Sequence, residues 1–190
     1  MIVVLDPAQA HRDLAAAGLC CPGCAGPLQQ WGFARTRSLR LSCGGRTSLR
    51  PRRARCSACA VTHVLLPAQA PARHASALDV VGQALLASAR GQGHRAIGAE
   101  LAVPADTVRG WIRRVNGRAD WLREQGTVRG HEFDPMLPVA VPTGSALADA
   151  LSALGLAAAA VVRMLGPIAP TWHIVAMLAR GRLLAPRLSG

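Results

Sequence analysis

A mainly α-helical chain with a small β unit near its N-terminal end is predicted by three observations. Two Cys-x-x-Cys units, Cys21 to Cys24 and Cys56 to Cys59, flank a segment in which Leu39 and Leu41 alternate with polar residues ahead of Gly44-Gly45. Beyond Ser76 apolar residues recur at helical spacing, with a break at Val103-Pro104. After residue 129 the chain is rich in Ala and Leu, and Leu147, Leu151, Leu154, Ala158, Val161 and Leu165 fall on one helical stripe.

Each cysteine pair can present two thiolates from one tight turn, and two such turns complete a tetrahedral Cys₄ site. The expected ligands are Cys21, Cys24, Cys56 and Cys59, and zinc is the expected ion. Gly26, after the first pair, suits a turn that needs positive φ. Cys20 and Cys43 stand outside ligand spacing, and His63 is expected on the surface. Between the pairs, Thr36–Ser42 and Arg46–Arg55 read as the limbs of an antiparallel hairpin. Metal-binding turns joined by a hairpin make a zinc ribbon, placed at residues 20–67. A redox couple would instead need one pair in a βαβ setting.

The charge is concentrated on this unit. The chain has a formal net charge of +12, and every one of its 22 basic side chains (His aside) is Arg. No acidic residue lies between Asp13 and Asp79, a stretch that holds nine arginines. An even surface would interleave both signs, so a polyanionic partner is expected. Arg50, Arg52, Arg53 and Arg55 would hold the ribbon against a phosphate backbone.

The next unit is expected at 76–118. Ser76 to Asp79 reads as a capping box opening a first helix. A second helix at about 94–102 and a third at about 105–116 follow, joined across the Val103-Pro104 break. Gly98 is small where the crossing helices come close. Three such helices form a helix-turn-helix domain for double-stranded DNA. On the third, Thr107 sits where side chains reach base edges, and Arg109 and Arg113 are one turn apart on the outer face. Arginine can pair bidentately with guanine. Arg95, Arg114 and Arg118 are assigned to phosphates, and Trp111 to packing. The overall class is therefore mainly α with a small β zinc ribbon: N-terminal zinc ribbon, three-helix helix-turn-helix domain, helical C-terminal tail.

The order CPGCAG, an arginine-rich hairpin, RPRRARCSAC and then HRAIGAELAVPADTVRGWIRR resembles the N-terminal DNA-binding region of insertion-sequence transposases. It resembles still more closely compact actinobacterial proteins known only as a domain of unknown function, in which a zinc ribbon precedes a helix-turn-helix. The likeness covers about residues 20–118. It implies the same four cysteine ligands and a recognition helix starting near Ala105. Two positions depart from the pattern: Ala102 stands where the turn often has glycine, and Pro104 where Ser or Thr often caps the helix.

The tail, 119–190, is expected to be helical. One helix starts near Ser145 and another runs from Thr171 to Arg180, stopped by Gly181. Its helices are expected to pack on the helix-turn-helix domain, with a homodimer through the 145–165 helix or membrane association as the alternatives. A carboxylate-type transposase needs three acidic residues holding two Mg²⁺ ions. Only Glu132, Asp134 and Asp149 follow residue 129, without a strand–loop setting, so no catalysis is expected. No small-molecule substrate is indicated. No secretory signal is expected, and the runs Ala150–Val162 and Met164–Ala179 fall short of the ~18–20 residues that span a bilayer. The expectation is a cytoplasmic, nucleoid-associated DNA-binding protein that regulates transcription or derives from a transposase. The DNA-binding part of a split transposase is one alternative, and an RNA- or protein-binding adaptor is the other.

Overall fold

The computed structural model describes residues 1–185. Among them the chain is mixed α/β, with seven helices and six short strands. That is more β structure than one hairpin.

The apolar run at the start forms β1 (Ile2–Val4). The Asp6-Pro7 pair that ends it opens α1 (Pro7–Ala15). The Asp6 carboxylate accepts from the Ala8 and Gln9 amides, and Pro7 sits where a helix needs no amide hydrogen. Those amides, Gln9 foremost, hold the Asp6 carboxyl below its usual range.

Five strands follow: β2 (Leu28–Phe33), β3 (Arg37–Arg40), β4 (Arg46–Leu49), β5 (Arg52–Cys56) and β6 (Thr62–Pro67). The expected hairpin is β3 with β4, Leu39 opposite Thr47. Its return limb does not run on to Cys56 as one strand. Pro51 lacks the amide that a ladder needs, and beyond it β5 joins a second sheet of order β1-β6-β5-β2. There β5 is antiparallel to both neighbours, pairing Cys56 with Leu28 and Ala54 with His63, while β1 runs parallel to β6.

Two apolar clusters result. The smaller holds Ala10, Leu14, Cys21, Leu28, Ala54, Cys56 and Leu65. The larger is helical, and Leu39 of the hairpin is buried in it. The hairpin therefore docks on the helices. The Arg40 amide donates to the Ala75 carbonyl at 2.8 Å, its carbonyl accepts from Ala77 at 2.7 Å, and the Arg37 guanidinium donates to the carbonyls of Pro71 and His74. The stretch Pro67 to Pro71, between the ribbon and the first helix of the next unit, is largely buried.

Helix α2 (Leu78–Ala89) is capped by Ala77, not Ser76, with no side-chain cap bond. Asp79 is not the far side of a capping box; its Oδ2 accepts from the Ser42 hydroxyl at 2.5 Å. Helices α3 (His94–Glu100) and α4 (Ala105–Asn116) lie close to the expected spans. Between them Ala102 has φ +50°, the left-handed region that favours glycine, and Pro104 caps α4 without a side-chain bond. Gly98 is needed for the close approach: a Cβ there would stand 2.7 Å from the Val103 carbonyl oxygen and 3.1 Å from the Ala105 Cα. Val108, Trp111 and Val115 turn α4 toward the core, and α2 packs on both α3 and α4.

The tail opens with α5 (Ala119–Phe133), which the apolar spacing does not announce. Gly126 and Gly130 lie one turn apart on one face. They let α5 pack directly on α6 (Ala146–Leu165) at Ala153 and Ala157. Helix α6 starts after Ser145, whose hydroxyl accepts from the Ala148 amide. Helix α7 (Thr171–Leu178) stops short of Gly181, which has φ +68°.

Leu147, Leu151, Leu154, Ala158 and Val161 of the α6 stripe are buried within the chain, and Leu165 alone is exposed. The stripe packs within the chain, chiefly on α5 and less on α7, α2 and α4, rather than mainly on the expected helix-turn-helix helices, so that face is not open to a second copy. Running past Asp149 and Arg163, α6 is longer than the uncharged run, and by length and composition it is long and apolar enough to cross a membrane; half of its apolar window is buried inside the protein.

Candidate metal centre and nucleic-acid interface

The two Cys-x-x-Cys units form matching turns. The Ala25 amide donates to the Cys21 carbonyl at 2.8 Å and the Ala60 amide to the Cys56 carbonyl at 3.1 Å. The residue in the left-handed region is Ala25 (φ +56°) in the first turn and Ala60 (φ +59°) in the second. Gly26 is thus required for space rather than for its φ. A Cβ on it would meet Ala58 Cβ at 2.7 Å and the Cys56 sulfur at 3.1 Å.

These turns bring the four expected ligands together. The sulfurs of Cys21, Cys24, Cys56 and Cys59 all lie within 4.8 Å of one another. Cys21 and Cys59 are 3.8 Å apart, and Cys24 and Cys56 3.5 Å. A tetrahedron with Zn–S bonds of ~2.3 Å has edges of about 3.8 Å, so the set can hold a metal ion and its size is consistent with zinc. The same separations are far beyond the ~2.05 Å of a disulfide. Cys20 and Cys43 are exposed and outside the cluster.

The local electrostatics call for a cation. Amides of Gly23 and Cys24 pull the Cys21 thiol down. Amides of Cys59 and Ala58 pull Cys56 down to about 7. The Gly26 amide acts on Cys24 in the same sense, but the crowding of Cys56 and Cys59 pushes it up to about 12. Thiolates this close cannot all ionise without a positive ion between them.

His63 is not on the surface. It is 6% exposed, with Nε2 3.3 Å from the Cys21 sulfur and Nδ1 3.4 Å from the N-terminal amine of Met1. Burial and that amine lower its pKa. The pairing of β1 with β6 puts it there, a long-range contact that its spacing from Cys59 does not reveal.

The ribbon arginines meet two aromatic residues that charge patterning alone passes over. Arg52 lies over the Phe33 ring at 4.2 Å and Arg50 at 4.7 Å, while Arg55 lies over the Trp31 ring at 4.7 Å. Trp31 is 48% and Phe33 41% exposed. The signal was two bulky rings, Trp31 and Phe33, in an otherwise polar strand of a chain that is only 3% aromatic. Arg53, next to Arg52 on β5, is half-buried and opposite Val64 of β6.

On α4, Thr107, Arg109, Arg113 and Arg114 are exposed, and Arg95 is exposed on α3. Arg109, Arg113 and Arg114 border an open groove of about 900 Å³, shared with Gln92 and His94 at the start of α3 and with Asn116. Thr107 and Arg95 are not among its walls. Arg118 does not belong to this surface. It is 7% exposed, its guanidinium stacked 4.4 Å from the Trp121 ring, and burial lowers its pKa. Helix α5, unforeseen, covers it.

No curated protein and no solved structure matches the chain. Residues 21–111, which run from the first of the four clustered cysteines to the middle of α4, match a family described as a domain of unknown function, DUF6431.

Proposed function

We propose that this is a zinc-stabilised protein that binds double-stranded DNA, with α2, α3 and α4 acting as a helix-turn-helix and α4 as the recognition helix. The observation that carries the reading is the outer face of α4. Arg109 and Arg113 project from one side of a helix whose other side, Val108, Trp111 and Val115, is buried. The helix is held against α3 by a turn that only a residue as small as Gly98 permits. The +12 charge supplies the long-range attraction. The resemblance to the DNA-binding region of insertion-sequence transposases supports a duplex as the partner, in a regulator or in a transposase-derived unit that lacks its own catalytic domain. The nucleoid would be its place of action. A homodimer through the 145–165 helix would use its outer end, where Met164 and Leu165 are exposed.

Two sets of substitutions separate reading from holding. Arg109→Ala and Arg113→Ala should each cost about 1–3 kcal/mol on the preferred site and relax preference at one position. Replacing Arg50, Arg52, Arg53 and Arg55 with Gln should weaken binding to all duplexes alike, each lost phosphate contact removing ~0.9 from the slope of log affinity against log salt. Titrations over a salt series check both. Uniform weakening by the α4 variants would remove α4 as the reader.

A second reading, an RNA- or single-strand-binding adaptor, is favoured by the half-exposed Trp31 and Phe33 rings. Aromatic rings on a basic strand are platforms for unpaired bases. A single-stranded competitor that displaces the duplex, with Trp31→Ala removing the effect, would establish it.

A further inference from the structure

A second cavity of about 530 Å³ lies on the other side of α2, between that helix, α6 and α7. Its volume is within the ~300–1,000 Å³ of small-ligand sites. Leu86, Leu151, Leu154 and the Trp172 indole form apolar walls, and Asp79 and His173 bring polar atoms to it.

Two glycines shape this space in opposite ways. Gly82 seats the Trp172 ring, since a Cβ on it would lie 1.9 Å from the indole. Gly155 lines the cavity from the middle of α6, and nothing stands within 4 Å of where its Cβ would be. A glycine inside a helix costs about 1 kcal/mol against alanine. Gly155 is exposed, no positive φ or close neighbour accounts for it, and a larger side chain there would extend across the open side of the cavity.

Charge narrows the ligand. The chain has 22 basic side chains against ten acids, yet among the described residues no arginine forms an ion pair with Asp79. Among the described residues its carboxylate accepts from the Ser42 hydroxyl and the Val80 amide. Burial lowers the pKa of the neighbouring His173, against the opposing pull of Asp79, so that imidazole supplies little positive charge near neutral pH. A carboxylate and an indole face in an apolar pocket suit a cation that is itself apolar.

We propose that this cavity binds a small hydrophobic organic cation, an aromatic or alkyl amine or quaternary ammonium, with its charge on Asp79 and its body against Trp172 and the leucines. The site is separate from the α4 face, so the proposal stands whether or not the duplex reading does.

The test is calorimetric titration of the full zinc-loaded chain with (1-naphthylmethyl)trimethylammonium, and with 1-naphthalenesulfonate as the anion of like size. The expected result is saturable 1:1 binding of the cation only. Asp79→Asn should weaken it about tenfold or more, and Gly155→Leu should abolish it by extending across the open side of the cavity. Both variants are to be checked for retained melting temperature. Gly155→Leu faces open space and improves helix propensity, so it decides the matter if Asp79→Asn misfolds. No saturable binding at ~1 mM, where affinity is only about −4 kcal/mol, would overturn the proposal. So would equal binding of the sulfonate, or cation binding untouched by Gly155→Leu.

Discussion

Cys56→Ser, or stripping the metal with a chelator, is expected to unfold the N-terminal β unit while most of the helical signal survives. The physical reason is the size of the core on that side. Besides Cys21 and Cys56, it contains only Ala10, Leu14, Leu28, Ala54 and Leu65 as buried apolar residues. Two cysteine turns and short strands cannot offset their own ordering entropy with so little burial. A structural zinc ion contributes apparent binding free energy of about 10–16 kcal/mol, which at a four-cysteine site here would become folding free energy. The helices have their own larger cluster, in which Leu39 is the contribution of the hairpin. Limited proteolysis with mass analysis is the check: rapid cleavage between about residues 19 and 62, and slow cleavage in α2–α7. Cys20→Ser and Cys43→Ser should behave as wild type, since both cysteines are exposed and outside the cluster. A Cys56→Ser protein that still binds one metal ion and resists protease would rule out the four-cysteine site.

The second large effect is expected from alanine at two glycines, with opposite signs. At Gly126 an added Cβ would meet the backbone of Ala153 and Leu154 at 2.7–2.9 Å. Backbone cannot rotate away as a side-chain tip can, so α5 and α6 must separate. Overpacking of this kind costs about 1–3 kcal/mol, enough to outweigh the gain of about 1 kcal/mol in helix propensity. At Gly155 on the facing helix there is nothing to collide with, so Gly155→Ala should keep that gain. Urea denaturation followed by circular dichroism compares the two midpoints. A Gly126→Ala protein as stable as wild type would mean that the α5–α6 contact is looser than described.

What was legible in the sequence was what depends on local spacing. Two cysteines three positions apart have few geometries open to them, so the four-cysteine cluster could be named without a structure. The α3–α4 boundaries were likewise marked by Val103-Pro104 and by the apolar set of α4. Contacts that join distant segments were not legible. The first strand pairs with β6 across some sixty residues, and that pairing buries His63. No helix was placed at α5 within the expected helical tail because its buried face, Ala119, Leu122, Gly126 and Gly130, has a single large apolar residue and two glycines, which propensity counts against a helix. Once α5 exists, Arg118 at its start is covered, which withdraws it from the phosphate contacts expected of it. Gly26 was chosen for the wrong reason: Ala25 takes the positive φ, while Gly26 avoids a collision with Ala58 and the Cys56 sulfur.

The central claim, that α4 reads duplex sequence, is tested most directly by selecting random duplex DNA with the zinc-loaded protein at ~0.15 M salt, where non-specific attraction is screened. The account predicts one enriched motif, lost or altered at single positions by Arg109→Ala and Arg113→Ala. Salt-sensitive binding without any enriched motif, displaced equally well by RNA, would contradict it.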